Sequence, residues 1–365
     1  MLPIGWHRDD CGPALALHVC DSNLRRGNGT LDFPTTLLGG ILSPVMDLTL
    51  SSSSKVYWLY LCLAALIALV VYLRSASAPS VRGAVEFLLP KSVFGHASAI
   101  ADYKLWLANG FLLIVVFFPY FCLSTLTAAN ATLGALHAIS DFSGLGWPVN
   151  WTTTALYTIC DLLAIDAALF LAHYLQHRVP ALWEFHKTHH SAEVLTPVTV
   201  LRMHPVDQIV NFTMAAALPG FMAGLFSFLY AQPAHVFTIS GLNIGLFLFY
   251  IAGVPLRHSH IWVMYPRWIA KHISSPAMHL IHHSKDPKHA DKNLAQMFNF
   301  WDRLAGTFYL PAEKEVLELG LWNDESAKFR SLADLYLQPF RSLWARVRQH
   351  RFVAVSPRRD LVARD

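Results

Sequence analysis

Charged residues are scarce in this sequence: Asp, Glu, Lys and Arg make up 14% of its 365 residues, whereas hydrophobic residues make up 54%. A soluble globular protein carries about a quarter charged residues, so this composition excludes an ordinary soluble protein and indicates a membrane protein. The formal net charge of +4 comes largely from Lys and Arg near the ends of apolar segments and in the C-terminal tail. Basic residues at these positions can lie near anionic lipid headgroups, and they do not indicate a nucleic-acid partner.

Two common kinds of metal site are also missing from the sequence. Its five cysteines form no CxxC pair, so a thiolate metal site is not supported. The HExxH motif of zinc metalloproteases does not occur either. Any metal chemistry of this chain must therefore depend on other ligands, and zinc hydrolysis is disfavoured.

Apolar segments run through most of the chain. Five blocks, at about 56–73, 105–127, 152–172, 209–230 and 236–256, predict membrane-spanning helices. Each is close to the roughly 20 residues that a helix needs to cross about 30 Å of hydrocarbon. Residues 1–54 are predicted to be a poorly ordered leader, residues 55–311 one membrane domain, and residues 312–365 a cytoplasmic C-terminal tail.

The loop between the first two predicted spans is basic, with Arg74, Arg82, Lys91 and Lys104. The positive-inside rule assigns this loop to the cytoplasm. Alternation of five spans then brings the segment after span three and the chain after span five to the same face. The predicted fold is all-α: a polytopic membrane protein with a cytoplasmic histidine-rich helical cap. A bacterial inner membrane is the predicted location, with the endoplasmic reticulum as the alternative.

Histidines are concentrated in one third of the chain, since 14 of the 19 lie between His173 and His289. They begin with an HxxxH pair at His173 and His177. Two HxxHH motifs follow, starting at His186 and at His279. In each motif we expect the first two histidines to share a helix face and the third to extend the fan, so one short helix can serve two metal ions. Eight imidazoles are too many for one ion.

Two further histidines, His258 and His260, are placed to complete this metal site at the cytoplasmic end of the fifth predicted span. The role of His204 is left open between a ligand and an interfacial hydrogen-bonding residue. Because a carboxylate facing lipid would be costly, Asp166 is predicted to support a ligand histidine without binding the metal, with a hydrogen bond in helix packing as the alternative. The predicted metal ligands are His173, His177, His186, His189, His190, His258, His260, His279, His282 and His283.

Imidazole-rich sites suit iron, copper or zinc, and affinity order alone does not choose among them. Chemistry on lipid at a cytoplasmic membrane face favours iron. Two other functions remain as alternatives. Paired histidines on helices also bind haem in membrane electron carriers, and histidines with acidic residues line the pathways of metal transporters.

The three histidine motifs, on a multi-span helical chain, resemble those of the fatty acid hydroxylase and sterol desaturase superfamily of membrane di-iron enzymes. The segment Phe300-Trp301-Asp302-Arg303-Leu304-Ala305-Gly306-Thr307 is similar to that family's WDRLFGT motif, with Ala305 in the usual Phe position. His258-Ser259 is similar to its isolated HS element. The resemblance covers about residues 105–311. We expect Asp302 to interact with Arg303 and so to lock the last histidine-bearing loop.

The resemblance implies a di-iron centre with two iron ions, the use of O2, and hydroxylation or desaturation of a sterol-like or acyl membrane lipid. The sequence contains neither an HPGG segment like that of cytochrome b5 nor a GxGxxG dinucleotide fingerprint. Electrons are therefore expected from a separate donor, such as a ferredoxin, a cytochrome or an NAD(P)H reductase.

Overall fold

The computed structural model describes residues 49–140 and 142–348, and these residues are mostly helical. Most of the predicted leader and the end of the predicted tail lie outside the described residues. The α-helices are α1 (Trp58–Ser75), α2 (Val81–Leu88), α3 (Lys91–Phe94), α4 (Ala97–Leu112), α5 (Phe118–Ile139), α6 (Trp151–Arg178), α7 (Pro180–His190), α8 (Pro205–Tyr230), α9 (Ile244–Ile251), α10 (Arg267–Ala270), α11 (Pro276–His282), α12 (Phe300–Ala305) and α13 (Leu332–Arg348).

Shorter elements connect these helices. A π-helical turn, Leu113–Phe117, joins α4 to α5 without a break, and two short strands, β1 (Thr238–Ile239) and β2 (Leu242–Asn243), form an antiparallel hairpin. The 3-10 helices are Pro197–Leu201, Val254–Arg257, Pro287–His289 and Glu325–Phe329.

Four stretches of the described chain are long and apolar enough to cross a membrane. They are α1, the continuous 43-residue stretch of α4 and α5, α6, and α8. These correspond to the first four predicted spans. Many of their large apolar side chains are exposed, for example Leu66, Phe111 and Leu123, as expected of helices that contact lipid.

Helices α5 and α8 pack at very short range through small residues. Gly220 and Gly224 form a GxxxG pattern on α8. A Cβ atom at Gly224 would lie 2.4 Å from the carbonyl oxygen of Ala129, and one at Gly220 would lie 2.8 Å from the Cβ of Ala128. The two backbones therefore approach closely, as is typical of helix pairs that associate in a membrane without a hydrophobic driving force.

The fifth predicted span differs in the structure. Residues 236–256 contain the β1–β2 hairpin and the eight-residue helix α9, which is about 12 Å long and too short to cross a bilayer alone. Ser240 and Gly241 both have positive φ, as a two-residue hairpin turn requires, and Gly253 with φ of 116° ends the helical path after α9. The apolar segment therefore contains two turns that its hydropathy does not indicate.

This broken segment nevertheless returns along α6 to the histidine-rich end of the molecule. Phe237 packs against Trp151 at the start of α6, and Asn243 donates to Asp161 in its middle at 2.8 Å. His258 then reaches the histidines of α7. Non-helical backbone at this depth is tolerated because it is packed against protein. Asp161 and Asp166 of α6 are both buried, so neither carboxylate faces lipid.

The histidine-rich cap is assembled at one end of the long helices. Buried Arg202 binds Asp102 of α4 at 2.6 Å and so ties the segment before α8 to the start of α4. The ring of His260 contacts the carbonyl of Phe87 in α2 at 2.8 Å. The basic loop between α1 and α4 therefore lies at the same end as the histidines, as the sequence predicted.

Candidate metal centre

Nine histidines converge in the cap in two adjacent groups, each able to hold a metal ion. Each histidine offers one ring nitrogen, and within each group these nitrogens lie within 4.8 Å of one another. The groups touch through the stacked rings of His190 and His283, whose centroids are 4.6 Å apart. The first group is His173, His177, His186, His190 and His282. The second group is His189, His258, His279 and His283.

Each HxxHH motif is divided between the two groups. Helix α7 contributes His186 and His190 to the first group and His189 to the second. Helix α11, with His283 as its C-cap residue, makes the opposite division: His282 joins the first group and His279 and His283 join the second. One short helix does serve both groups, but the histidines that share a group are four residues apart rather than three. On a helix, residues i and i+4 differ in direction by about 40°, and i and i+3 by about 60°.

The second group has the spacing of ligands around one ion. The Nε2 atom of His258 lies 3.0 Å from that of His279 and 3.2 Å from those of His189 and His283. Ligands about 2.1 Å from a metal ion are separated by about 3.0 to 3.4 Å in octahedral or tetrahedral geometry. The nitrogen atoms of the second group therefore have the mutual spacing expected of ligands around one transition-metal ion.

Several ring nitrogens of the first group form no hydrogen bond in the described part of the chain. The Nε2 atoms of His177, His186, His190 and His282 are buried and have no hydrogen-bond partner there. A buried polar atom without a hydrogen-bond partner is costly, so four such nitrogen atoms together favour a role in binding a cation. A cation bound by these lone pairs would satisfy all four, and the residues present therefore fit a metal ion.

The opposite nitrogens of several rings are held by the surrounding protein. The Nδ1 atom of His186 is 2.8 Å from a carboxylate oxygen of Asp207, and that of His177 is 3.3 Å from Asp291. A proton held on Nδ1 by such a partner leaves Nε2 free to bind a metal and fixes the ring. No sequence motif indicated either aspartate, because Asp207 follows the unassigned His204-Pro205 pair and Asp291 lies in no recognised motif.

The loop 292–295 holds two more rings of the first group through its backbone. His173 Nδ1 lies 2.8 Å from the carbonyl oxygen of Leu294, and His282 Nδ1 lies 2.9 Å from that of Lys292. Asp302, which is fully buried, accepts from the backbone N–H groups of Leu294 and Ala295. The WDRLAGT segment thus sets the position of two candidate ligands without touching them.

Two predicted contacts in this region are replaced by others. Asp302 locks the loop by accepting from backbone and from Thr307 at 2.6 Å, whereas Arg303 donates to the carbonyl of Lys271. Asp166 does not bind a histidine. Its carboxylate accepts from the backbone N–H of Met297 and of Phe298 and from the indole of Trp301. The Asp166 carboxylate lies about two turns before His173 on the helix, so it meets the segment 297–301 before it can reach a histidine ring.

His260 lies outside both groups, in contrast to its prediction as a ligand. It follows His258 by two residues in a segment that has no helical repeat, so the two rings point apart, and its Nε2 is taken up by the carbonyl of Phe87. His204 also lies outside the groups. It caps α8 by accepting from the N–H of Val206, and its Nε2 lies 3.1 Å from the carbonyl of Tyr336.

The electrostatic environment keeps the cap histidines neutral. Burial, followed by the neighbouring histidines and, for His258 and His279, by nearby basic side chains, holds the pKa of His189, His190, His258, His279 and His283 well below the usual value of 6.5. Burial lowers the pKa of His282 to about 3. A neutral imidazole has the lone pair that a metal requires, so the site is ready to bind a cation at neutral pH.

Comparison with known proteins bears on what this site is. Residues 158–307, which contain all nine grouped histidines, match the family model described as fatty acid hydroxylase. These residues therefore resemble a fatty acid hydroxylase domain. The resemblance to the fatty acid hydroxylase and sterol desaturase superfamily is thereby confirmed. The domain begins within α6 and ends directly after α12, so α1 to α5 and α13 lie outside the match.

Curated relatives of the domain act on different lipids, according to their names. An ornithine lipid hydroxylase of Rhizobium tropici is 27% identical over 195 residues, which cover 53% of each chain. An alkylglycerol monooxygenase of Xenopus tropicalis is 28% identical over 180 residues, 47% of this chain and 34% of the relative. A Delta(7)-sterol 5(6)-desaturase of Aspergillus fumigatus is 26% identical over 187 residues, 48% of this chain and 52% of the relative.

The similarity is therefore partial in extent: the chain spans about a third to a half of the length of these relatives. No solved structure gives a significant match.

Proposed function

We propose that this chain is a membrane oxidoreductase that uses O2 to hydroxylate or desaturate a lipid at a di-iron centre. The observation that carries the proposal is the convergence of nine imidazoles, eight of them buried, into two groups at one end of four apolar helices. The named activities of the relatives, hydroxylase, monooxygenase and desaturase, support the class of reaction.

The two groups would each hold one iron ion. Bound iron would supply the activation of O2 that attack on an unactivated C–H bond requires, which no side chain can provide. The protein's own share is positioning: Asp207, Asp291 and the loop 292–295 fix the rings, and burial of the site keeps it dry. Aliphatic side chains of the long helices would guide the lipid tail.

We further propose that the cap faces the cytoplasm and that a separate protein delivers electrons to it. The basic segment from Arg74 to Lys104 lies at the histidine end, and basic segments between spans are retained in the cytoplasm. Reporter fusions after residue 348 and in the loop 140–150, at opposite ends of the long helices, test this orientation. A cytoplasmic signal at residue 348 is expected, and a periplasmic or lumenal one would refute the assignment.

The first experiment measures metal content and the optical spectrum of the protein purified in detergent from cells grown with excess iron. About two irons per chain without a haem Soret band are expected. The double variant His186→Ala/His282→Ala should lose the iron of the first group, whereas the control His272→Ala, which changes an exposed histidine outside both groups, should retain it. A Soret band, or zinc in place of iron, would refute the proposal.

A second experiment identifies the reaction in membranes that contain the protein and a reducing system. With 18O-labelled O2, a hydroxylase transfers one oxygen atom to the lipid and one to water, whereas a desaturase removes two hydrogen atoms from the lipid and transfers both oxygens to water. Mass spectrometry of total lipids distinguishes the two. A lipid profile unchanged relative to the double histidine variant would refute lipid oxidation.

A further inference from the structure

Helix α13 follows the fatty acid hydroxylase domain and packs across the cap. Its inner face includes buried Leu335 and Pro339, and the carbonyl of Leu335 lies 3.4 Å from the hydroxyl of Thr188 in α7. Arg346 of α13 forms an ion pair with buried Glu184, which also lies in α7. Since α7 carries three of the candidate ligands, α13 is attached directly to the framework of the metal centre.

The outer face of α13 carries an apolar stripe. Its residues are spaced by three, four and three positions, so they lie on one side of the helix. Large apolar side chains at this spacing are normally buried, and a contiguous exposed group marks a surface that contacts something apolar. The stripe consists of Leu337, Phe340, Trp344 and Val347, which are 48%, 50%, 58% and 40% exposed.

The stripe lies at the level where the long helices enter the apolar layer. The centre of the Phe340 ring lies 5.4 Å from that of the ring of His204, which is the N-cap residue of α8. The hydroxyl of Tyr336 is 2.7 Å from the side chain of Asn109, beyond which α4 turns strongly apolar. Helix α13 therefore runs beside the polar–apolar boundary of two spans, where the surface of a bilayer would be.

Basic residues flank the stripe on one side. Arg341 and Arg348 follow Leu337 and Trp344 by four residues each, so each lies next to the stripe on the helix surface. The guanidinium of Arg348 lies 5.1 Å from the centre of the Trp344 ring. Arg341 is 3.6 Å from Asp334, an exposed pair that leaves its guanidinium accessible. An apolar stripe beside arginines is the pattern of a helix that lies in the membrane interface.

We propose that α13 is an in-plane membrane anchor that inserts its apolar stripe into the surface of a bilayer and binds anionic lipid headgroups through Arg341 and Arg348. Apolar insertion and attraction of arginine to anionic lipid act together in such helices. Through Arg346 and Glu184 this contact holds α7, and with it the candidate ligands, at a fixed height above the bilayer. The proposal does not depend on the reaction that the metal centre catalyses.

Photo-crosslinking of the full-length protein in vesicles tests this proposal. The photoreactive residue p-benzoylphenylalanine replaces Trp344 or Val347 in the stripe. The control replaces Ala345, which is exposed on the same helix but turned away from the stripe. Vesicles contain phosphatidylcholine alone or phosphatidylcholine mixed with phosphatidylglycerol, and adducts are identified by mass spectrometry. Thermal melting of each variant shows that the cap remains folded.

Lipid adducts several-fold more abundant at 344 and 347 than at 345 are expected. In mixed vesicles phosphatidylglycerol should exceed its share of the lipid among the adducts, and the double variant Arg341→Gln/Arg348→Gln should lose this excess while keeping the adducts. Equal adducts at 344 and 345 would overturn the anchor, and an excess that persists without the arginines would overturn the headgroup contact. Crosslinking of position 344 in native membranes to protein rather than lipid, including residues 1–48 of this chain, would also overturn it.

Discussion

Asp302 offers the sharpest test of how the WDRLAGT segment supports the metal centre. Its buried carboxylate accepts from the backbone N–H of Leu294 at 2.8 Å and of Ala295 at 3.0 Å, and from the hydroxyl of Thr307 at 2.6 Å. Replacement by alanine leaves the two backbone N–H donors without an acceptor, whereas the Thr307 hydroxyl keeps its 3.3 Å contact with the backbone carbonyl at position 302. At about 1–3 kcal/mol for each unsatisfied group, the loss is on the order of 4 kcal/mol, a large fraction of the total stability of many domains.

The same change releases the carbonyls that orient His173 and His282, because both lie in the loop that Asp302 holds. We therefore expect Asp302→Ala to lower both the melting temperature and the iron content of the first group. The melting temperature should fall by roughly 10 °C, at about 2–4 °C per kcal/mol. Asp302→Asn keeps one acceptor oxygen and should fall between alanine and the native residue.

Thermal melting and metal analysis of the purified variants provide the measurement. The matched control is Asp286→Ala, since Asp286 is half exposed, caps a short 3-10 helix nearby and otherwise pairs with the exposed side chain of Lys288. Loss of this cap costs about 1 kcal/mol and should leave the iron in place. The reasoning is refuted if Asp302→Ala melts and binds iron like the control, because the loop would then hold its position without the carboxylate.

Three further predictions concern the ligands themselves. Asp207→Ala should weaken metal binding about 10- to 100-fold, measured by competition with a chelator, because the ring of His186 loses its orienting partner. Unchanged affinity would contradict that role. His258→Ala should remove the metal of the second group whereas His260→Ala should leave it, measured as iron per chain; loss in both variants would mean that the grouping is incorrect. Acidification should destabilise the cap, because histidines titrate near pH 6.5 when unfolded but burial lowers their pKa in the folded state. Stability is thus complete above about pH 6.5 and is lost as the pH falls below it, by on the order of 1.4 kcal/mol per histidine and pH unit. Melting curves of the metal-free protein between about pH 8 and pH 5 check this sign, and higher stability at acid pH would contradict it.

The sequence predicted which histidines meet because their spacing is a local property of a helix. An HxxxH or HxxHH pattern is legible in one or two turns, and nine of the ten predicted residues do converge in the structure. That they bind iron stays a prediction. His260 was predicted from its nearness in sequence to His258, and such nearness carries no direction where the backbone lacks a repeat.

The supporting carboxylates could not be predicted in the same way. Asp207 lies 21 residues from His186, and Asp291 lies 114 residues from His177, so only the tertiary fold brings each pair together. The prediction of a fifth spanning helix differs from the structure for another reason. Average hydropathy over 236–256 is insensitive to single turn residues such as Gly241 and Gly253, although these decide whether an apolar segment is one helix or several pieces.

Asp166 supports a candidate ligand histidine indirectly, through the loop that it holds. Its carboxylate holds the backbone of Met297 and Phe298, and three residues earlier the carbonyl of Leu294 meets the ring of His173. Asp166 and His173 lie on the same helix, two turns apart, so the loop is attached to α6 at both ends. A rigid helix thus sets the distance between the two attachments, and the orientation of the ring follows from that distance. The carboxylate stabilises the ring's position through the loop, which explains why a costly buried charge stands beside, and not within, the metal centre.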